Sequence, residues 1–236
     1  MKKKIMILTA AFTLVLSLGA CGAGNAESTA QTETTAADAD QDTETAGENT
    51  DSQGTDGSRI LIAYFTAAEN SGVDAVASAS YSDVNGEAKG RMQSLAEMIQ
   101  DVTGGDLFSI RTEETYPADG GDLIDYASQE QSEDARPALT THIENPDDYD
   151  IIFVGYPNWW ADLPMPLYSF FDEYDFSGKT IIPFNSHNGS RFSNTISTIA
   201  SLEPNATVIE DGFTVNERDV PDAAGDIASW VDSLGI

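Results

Sequence analysis

The chain has 236 residues, with 40 Asp and Glu against 11 Lys and Arg, giving a formal net charge of −29 at pH 7. Nucleic acid and anionic lipid surfaces are poor partners for such a charge, which also serves to keep a domain soluble. Cys21 is the only cysteine, so an internal disulfide, a thiolate metal site and a cysteine nucleophile in the folded part are all excluded.

The first elements concern export. Lys2-Lys3-Lys4 precede an apolar stretch that runs from Ile5 to about Leu18, the pattern of a secretory signal over residues 1–20 and too short to span a bilayer securely. Leu18-Gly19-Ala20-Cys21 resembles the bacterial lipobox, which implies lipidation of Cys21 and a protein anchored on the extracytoplasmic face of the bacterial cell membrane. An ordinary cleaved signal is the alternative. Residues 21–57 then hold Thr, Ala, Ser, Gln, Gly and acids with no basic residue, a composition that buries no core and reads as a solvated tether.

Residues 58–236 have the length of one domain. Residues 59–65 read as a buried strand. Met92, Leu95, Ala96, Met98, Ile99 and Val102 follow helical spacing, and Gly104-Gly105 offers a stop. The spacing predicts a short strand over 106–110, a polar helix over 123–131 and a strand over 151–154 that stops at Gly155-Tyr156-Pro157, because proline cannot continue a ladder. Further elements are predicted at 165–174 (helix), 180–184 (strand), 193–202 (helix), 206–209 (strand) and 222–234 (helix, with Ile227, Trp230, Val231 and Leu234 on one face). Regular alternation of this kind predicts a parallel sheet covered by helices on both faces.

The stretch Pro157-Asn158-Trp159-Trp160-Ala161 lies past the carboxyl end of the central strand, where open α/β sheets bind ligands. Two adjacent indoles there suit a flat, stackable ligand or, equally, lid packing over the core. Three blocks resemble the flavodoxin-like FMN-binding family: residues 60–66 (ILIAYFT), the Gly155-Tyr156-Pro157-Asn158-Trp159-Trp160 loop, and residues 180–190 (TIIPFNSHNGS). Gly104-Gly105-Asp106-Leu107-Phe108, Tyr116-Pro117, Ala135-Arg136-Pro137 and Asp175-Phe176-Ser177-Gly178-Lys179 add shorter matches. The resemblance spans roughly 59–234. It implies a three-layer α/β sandwich whose five-stranded parallel sheet has the order 2-1-3-4-5, with FMN at the carboxyl ends of strands 1, 3 and 4.

The same resemblance implies roles for particular residues. Residues 157–161 supply backbone groups to the flavin ring edge, with Trp159 or Trp160 over a ring face and Tyr156 helping to form a substrate platform. Ser186, His187, Asn188, Gly189 and Ser190 run along the other edge, where His187 either gives a proton or hydrogen bond to reduced flavin or shapes the loop. The other histidine, His142, matches no motif and reads as a surface residue. The phosphate loop departs from the family pattern: Thr66 begins it, but Glu69 follows, and a carboxylate repels phosphate. An insertion over 73–89 then displaces the rest of the anion site to Gly90-Arg91-Met92-Gln93, with Thr66 and the N–H groups of Arg91, Met92 and Gln93 as phosphate donors and Arg91 either pairing with the phosphate or lying exposed.

The implied activity is electron or hydride transfer, as a carrier or as a small quinone-type reductase, with a redox protein or quinone-like molecule as partner. The competing reading is a surface lipoprotein that uses the fold to bind another planar ligand or a protein without turnover.

Overall fold

A computed structural model describes residues 59–70 and 81–236. The predicted signal, Cys21 and tether lie outside the described residues, as do 71–80. The described residues belong to one compact unit.

In chain order the elements are β1 (Ile60–Tyr64), α1 (Ala67–Asn70), β2 (Tyr81–Val84), β3 (Glu87–Gly90), α2 (Arg91–Thr103), β4 (Asp106–Ser109), α3 (Gly120–Ser132), β5 (Ile151–Pro157), α4 (Met165–Glu173), β6 (Thr180–His187), α5 (Thr195–Leu202), β7 (Thr207–Val208), β8 (Phe213–Asn216) and α6 (Ala224–Leu234). The main sheet runs β4-β1-β5-β6, with both β7 and β8 on the far side of β6, and every pairing within it is parallel. This is the order 2-1-3-4-5 that the family resemblance implies, with its fifth place filled by two short strands. The described part of the expected insertion forms a separate antiparallel hairpin, β2 with β3.

Alternation along the strands builds two cores. Leu61, Ala63, Ile152, Val154, Tyr156 and Ile181 face Leu123 of α3, Leu167 and Phe170 of α4 and Ile199 of α5. Ile62, Tyr64, Ile151, Phe153, Ile182 and Phe184 face Met92, Leu95 and Ile99 of α2 and Ile227 and Val231 of α6. Strands buried on both faces need the near-continuous apolar runs seen at 60–65 and 151–154.

Three sequence expectations need correction. The strand expected to stop after Val154 continues through Gly155 and Tyr156, and Pro157 is its last residue. The strand expected over 180–184 extends to His187, so Ser186 and His187 are sheet residues and not loop residues. The fifth strand is broken, and Pro183 accounts for the break. Thr180 N donates to Asp150 O at 2.9 Å, while Ile209 N and Glu217 N donate to Ile181 O and His187 O, so odd-numbered residues of β6 turn their backbone groups toward the fifth place. Pro183 is one of them and has no N–H to offer. β7 ends and β8 begins on either side of it.

Gly155 marks the closest approach within the sheet. A Cβ there would stand 2.2 Å from Phe184 Cζ, and Phe184 is fully buried. Gly155→Ala is expected to lower stability by about 1–3 kcal/mol through overpacking. The readout is a lower urea midpoint with an unchanged m value.

Candidate functional site

Two adjoining cavities open at the carboxyl ends of β1, β5 and β6. The larger, about 390 Å³, is lined by Leu123, Ile124 and Ala127 of α3, by Pro157, Asn158, Trp159 and Trp160, and by Ser186, His187, Asn188 and Glu217. The smaller, about 10 Å³, is lined by Thr66, Ala67, Arg91, Met92, Pro157, Trp159 and Ser186. Pro157, Trp159 and Ser186 belong to both, so the two cavities adjoin at these residues. The β5–β6 register pairs Pro157 with Ser186 directly.

The indoles divide the two roles that the sequence left open. Trp159 packs edge-on against Phe65 at 5.6 Å and lies 6.0 Å from Tyr116, so it is a floor attached to the core. Trp160 is 54% exposed, and its Nε1–H donates to Ile124 O at 3.2 Å across the cleft mouth. A tight turn presents it: Trp159 and Asp162 exchange backbone hydrogen bonds of 3.2 and 2.9 Å, and Trp160 and Ala161 between them have φ of 51° and 63°. Two non-glycine residues in the left-handed region cost on the order of 1 kcal/mol each. Asp162 holds the turn, its carboxylate accepting from Leu163 N at 2.8 Å and Tyr168 OH at 2.9 Å.

The first two backbone donors in this loop are committed. Asn158 N–H bonds Ser186 O at 2.9 Å and Trp159 N–H bonds Asp162 O, so the expected offering of these N–H groups to a ring edge is corrected. The Asn158 side chain instead reaches across to the 188–194 loop, donating through Nδ2 to Arg191 O and Ser193 Oγ. Its Oδ1 is buried without a hydrogen-bond partner, a cost that a donor on a bound molecule would remove.

On the opposite wall, Ser186, His187 and Asn188 line the cleft, whereas Gly189, Ser190 and Ala161 line neither cavity. Gly189 N–H donates to His187 Nδ1 at 2.8 Å, which leaves the neutral ring's proton on Nε2. Burial, reinforced by Arg191 and partly offset by Glu217 and Asp219, pulls the His187 pKa below its ordinary value. The ring is therefore neutral at neutral pH and offers one N–H. Tyr156, expected in a ligand platform, is wholly buried and donates to Thr195 Oγ1 at 2.8 Å; it is a core residue. His142 sits at the surface beside Glu173, 2.7 Å away.

The narrow cavity gathers the predicted anion ligands. Thr66 is buried, and a Cβ on Gly90 would stand 2.6 Å from its Oγ1, so only glycine lets α2 begin this close to β1. α2 starts with no side-chain cap at Gly90, and its first N–H groups form the positive end of the helix dipole. Arg91 and Met92 line the pocket; the side chain of Gln93 turns away to Glu97 at 3.0 Å. Glu69 does not intrude. Its carboxylate accepts from Tyr64 OH at 3.1 Å and from Ser109 Oγ and lies 3.5 Å from Arg111 Nη2. Nor is Arg91 a surface arginine: its side chain is 12% exposed, with Nη1 3.7 Å from Glu217 Oε2.

Sequence reasoning missed Leu123, Ile124 and Ala127, whose spacing gives α3 an apolar wall, and Glu217. The strand that carries Glu217 to the site was itself unrecognised, although Phe213 and Val215 alternate with polar residues as a strand should. Among the described residues no group of three or more His, Cys, Asp and Glu is placed to hold a metal, and no helix is long and apolar enough to cross a membrane.

A family model for flavodoxins matches residues 80–234. The match covers more than half of the chain, which therefore belongs to the flavodoxin family. Among solved structures, a candidate flavoprotein from Bacteroides eggerthii DSM 20697 is 26% identical over 76% of this chain and 99% of its own, with a TM-score of 0.58. A similar protein from Bacteroides uniformis ATCC 8492 is 24% identical over 75% of this chain and 99% of its own, with a TM-score of 0.57. A flavoprotein from Lactobacillus acidophilus NCFM, solved in complex with FMN, shares the fold at 19% identity, covering 74% and 99%, with a TM-score of 0.50. No curated protein matches the chain.

Behind the cleft, Tyr116 OH donates to the Glu130 carboxylate at 2.9 Å. Burial, opposed by that bond and reinforced by Glu114 and Glu133, raises the Glu130 carboxyl from its ordinary 4.5 to about 7. A raised folded-state value means that the stabilising contribution is fully present below 4.5 and is lost as pH rises through about 7. Glu130→Gln keeps an acceptor for Tyr116 and removes the buried charge. It is expected to gain about 1–3 kcal/mol over the wild type on going from pH 5 to pH 8. Melting curves at the two pH values check this, and a difference independent of pH contradicts it.

Proposed function

We propose that this chain binds FMN and acts as an electron- or hydride-transferring flavoprotein, held at the extracytoplasmic face of the cell membrane by a lipid on Cys21. The observation that carries the reading is the joining of a ring-sized cleft to a narrow anion pocket through Pro157, Trp159 and Ser186. Belonging to the flavodoxin family and sharing the fold of an FMN-complexed protein support it.

The residues present fit the cofactor. Trp160 and the apolar wall of α3 suit a ring face, and the buried Asn158 Oδ1 suits a ring N–H. His187, with its proton on Nε2, can donate at the opposite wall. Thr66 and the first N–H groups of α2 suit a phosphate, and Gly90, with no Cβ to strike Thr66, lets them lie side by side. Bound FMN would supply one- and two-electron redox chemistry. The protein's part is to bind and orient it, to exclude water through the two indoles, and to present a neutral imidazole donor. A carrier and a quinone-type reductase are both served by this site, and the half-exposed Trp160 gives a planar redox molecule a surface on which to stack. The anchor rests on the lipobox-like Leu18-Gly19-Ala20-Cys21.

Titration with FMN is expected to quench tryptophan and flavin fluorescence and to show tighter binding than riboflavin, which lacks the phosphate. Trp160→Ala should weaken both flavins by about 1 kcal/mol, the scale of one aromatic contact. Equal affinities for FMN and riboflavin would remove the phosphate subsite. Cys21→Ser should move the protein to the soluble fraction of lysed cells; retention through an alkaline wash would show another anchor.

A further inference from the structure

Arg91 and Glu217 come from opposite edges of the site. Arg91 is the first residue of α2 and lines the narrow pocket; Glu217 follows β8 and lines the broad cleft. Their side chains are 12% and 23% exposed, and the Nη1–Oε2 separation is 3.7 Å. That is an ion pair by charge but too long for a hydrogen bond, so Glu217 does not fix the guanidinium in one geometry. The placement of Arg91 also opposes local preference, since a cation at a helix N-terminus faces the positive end of the dipole. Burial lowers the Arg91 pKa and the Glu217 carboxylate partly offsets it.

We propose that Glu217 is an internal competitor for Arg91: it holds the guanidinium while the pocket lacks an anion, and it gives the guanidinium up when a phosphomonoester enters. This deepens the FMN reading above and rests on it for the identity of the flavin. Space argues for the exchange. The pocket of about 10 Å³ is smaller than a phosphate, so its lining must give way for an anion to reach Thr66 and the α2 N–H groups, and Arg91 is the long, flexible side chain in that lining. Charge argues likewise. With Glu217 beside it, Arg91 presents little net positive charge to an incoming anion, so the carboxylate directly reduces the margin by which FMN is preferred to riboflavin. Glu217 is thereby a specificity-determining residue, acting on the phosphate and not on the ring.

The test uses the full chain and its Glu217→Gln, Glu217→Ala, Arg91→Ala and Arg91→Ala/Glu217→Gln variants, titrated with FMN and riboflavin and melted with and without inorganic phosphate. Glu217→Gln is expected to bind FMN about tenfold more tightly, the scale of one charge-assisted interaction, with riboflavin unchanged within twofold. Glu217→Ala should behave in the same way and covers the case in which the glutamine variant misfolds. The gain should vanish when Arg91 is absent. Phosphate should raise the melting temperature more in Glu217→Gln than in the wild type, again only with Arg91 present. Unchanged FMN affinity, equal gains for both flavins, or a gain that persists in the double variant would overturn the proposal. Weaker FMN binding by Glu217→Gln would make Glu217 a positioning residue and overturn it equally. If no variant binds either flavin, the FMN reading fails, and the phosphate melting shift still decides the competition: an enhancement that requires Arg91 upholds it, and equal shifts reject it.

Discussion

The site depends on the register between β5 and β6. Because Ile151 pairs with Thr180, Pro157 pairs with Ser186, and β5 runs past the end of β1, whose last pairing is Tyr64 with Gly155. Asn158 N–H closes this last rung on Ser186 O. A one-residue slip would exchange the faces of every β5 side chain, turning Tyr156 away from Thr195 and putting a side chain where Gly155 leaves room for Phe184. The two cavities meet at Pro157 and Ser186, so the packing that fixes this register also fixes the distance between cleft and pocket.

Around that fixed pair, the walls are held in conformations that they would not adopt alone. Trp160 and Ala161 on one side, and Arg191 and Ser193 on the other, have positive φ, and strain of this kind persists only where surroundings over-determine it. Here the surroundings are identifiable. Asp162 anchors the first turn, and Asn158 and Asn185 both donate to Arg191 O in the second. Asn158 lies in the first loop and holds the second, so the two walls are tied together. A mouth built in this way is largely formed before any ligand arrives, which lowers the ordering cost of binding.

The sheet was legible because strands buried on both faces must be apolar almost throughout, as 60–65 and 151–154 are. Its limits were less so. Gly155-Tyr156-Pro157 reads as punctuation, yet Gly155 is required by Phe184 and Pro157 merely ends the ladder, and both facts depend on a partner strand. The broken fifth strand follows from Pro183, but only once it is known which edge of β6 that residue faces. Among site residues, Trp159 and Trp160 were found as a pair, and tertiary contacts alone separate a core-packed floor from an exposed cover. Glu69 shows the same limit in reverse: a carboxylate in a phosphate loop looks prohibitive until Tyr64, Ser109 and Arg111 are seen to draw it aside.

For a chain of net charge −29 the proposed anionic cofactor sets an electrostatic problem, and the geometry offers a local answer. Exposed charges more than about 8 Å apart are largely screened at physiological salt, so the acidic surface contributes little inside a narrow pocket. What acts there is the end of α2, whose N–H groups carry partial positive charge without a counterion, together with the Thr66 hydroxyl and one guanidinium shared with Glu217. Backbone donors do not titrate and do not depend on side-chain identity. A loop lacking the family's usual hydroxyl residues therefore still suits the proposed anion site, provided that Gly90 lets the helix begin against Thr66. The acidic exterior is then free to serve solubility, a separation of roles that depends on the pocket being as narrow as it is.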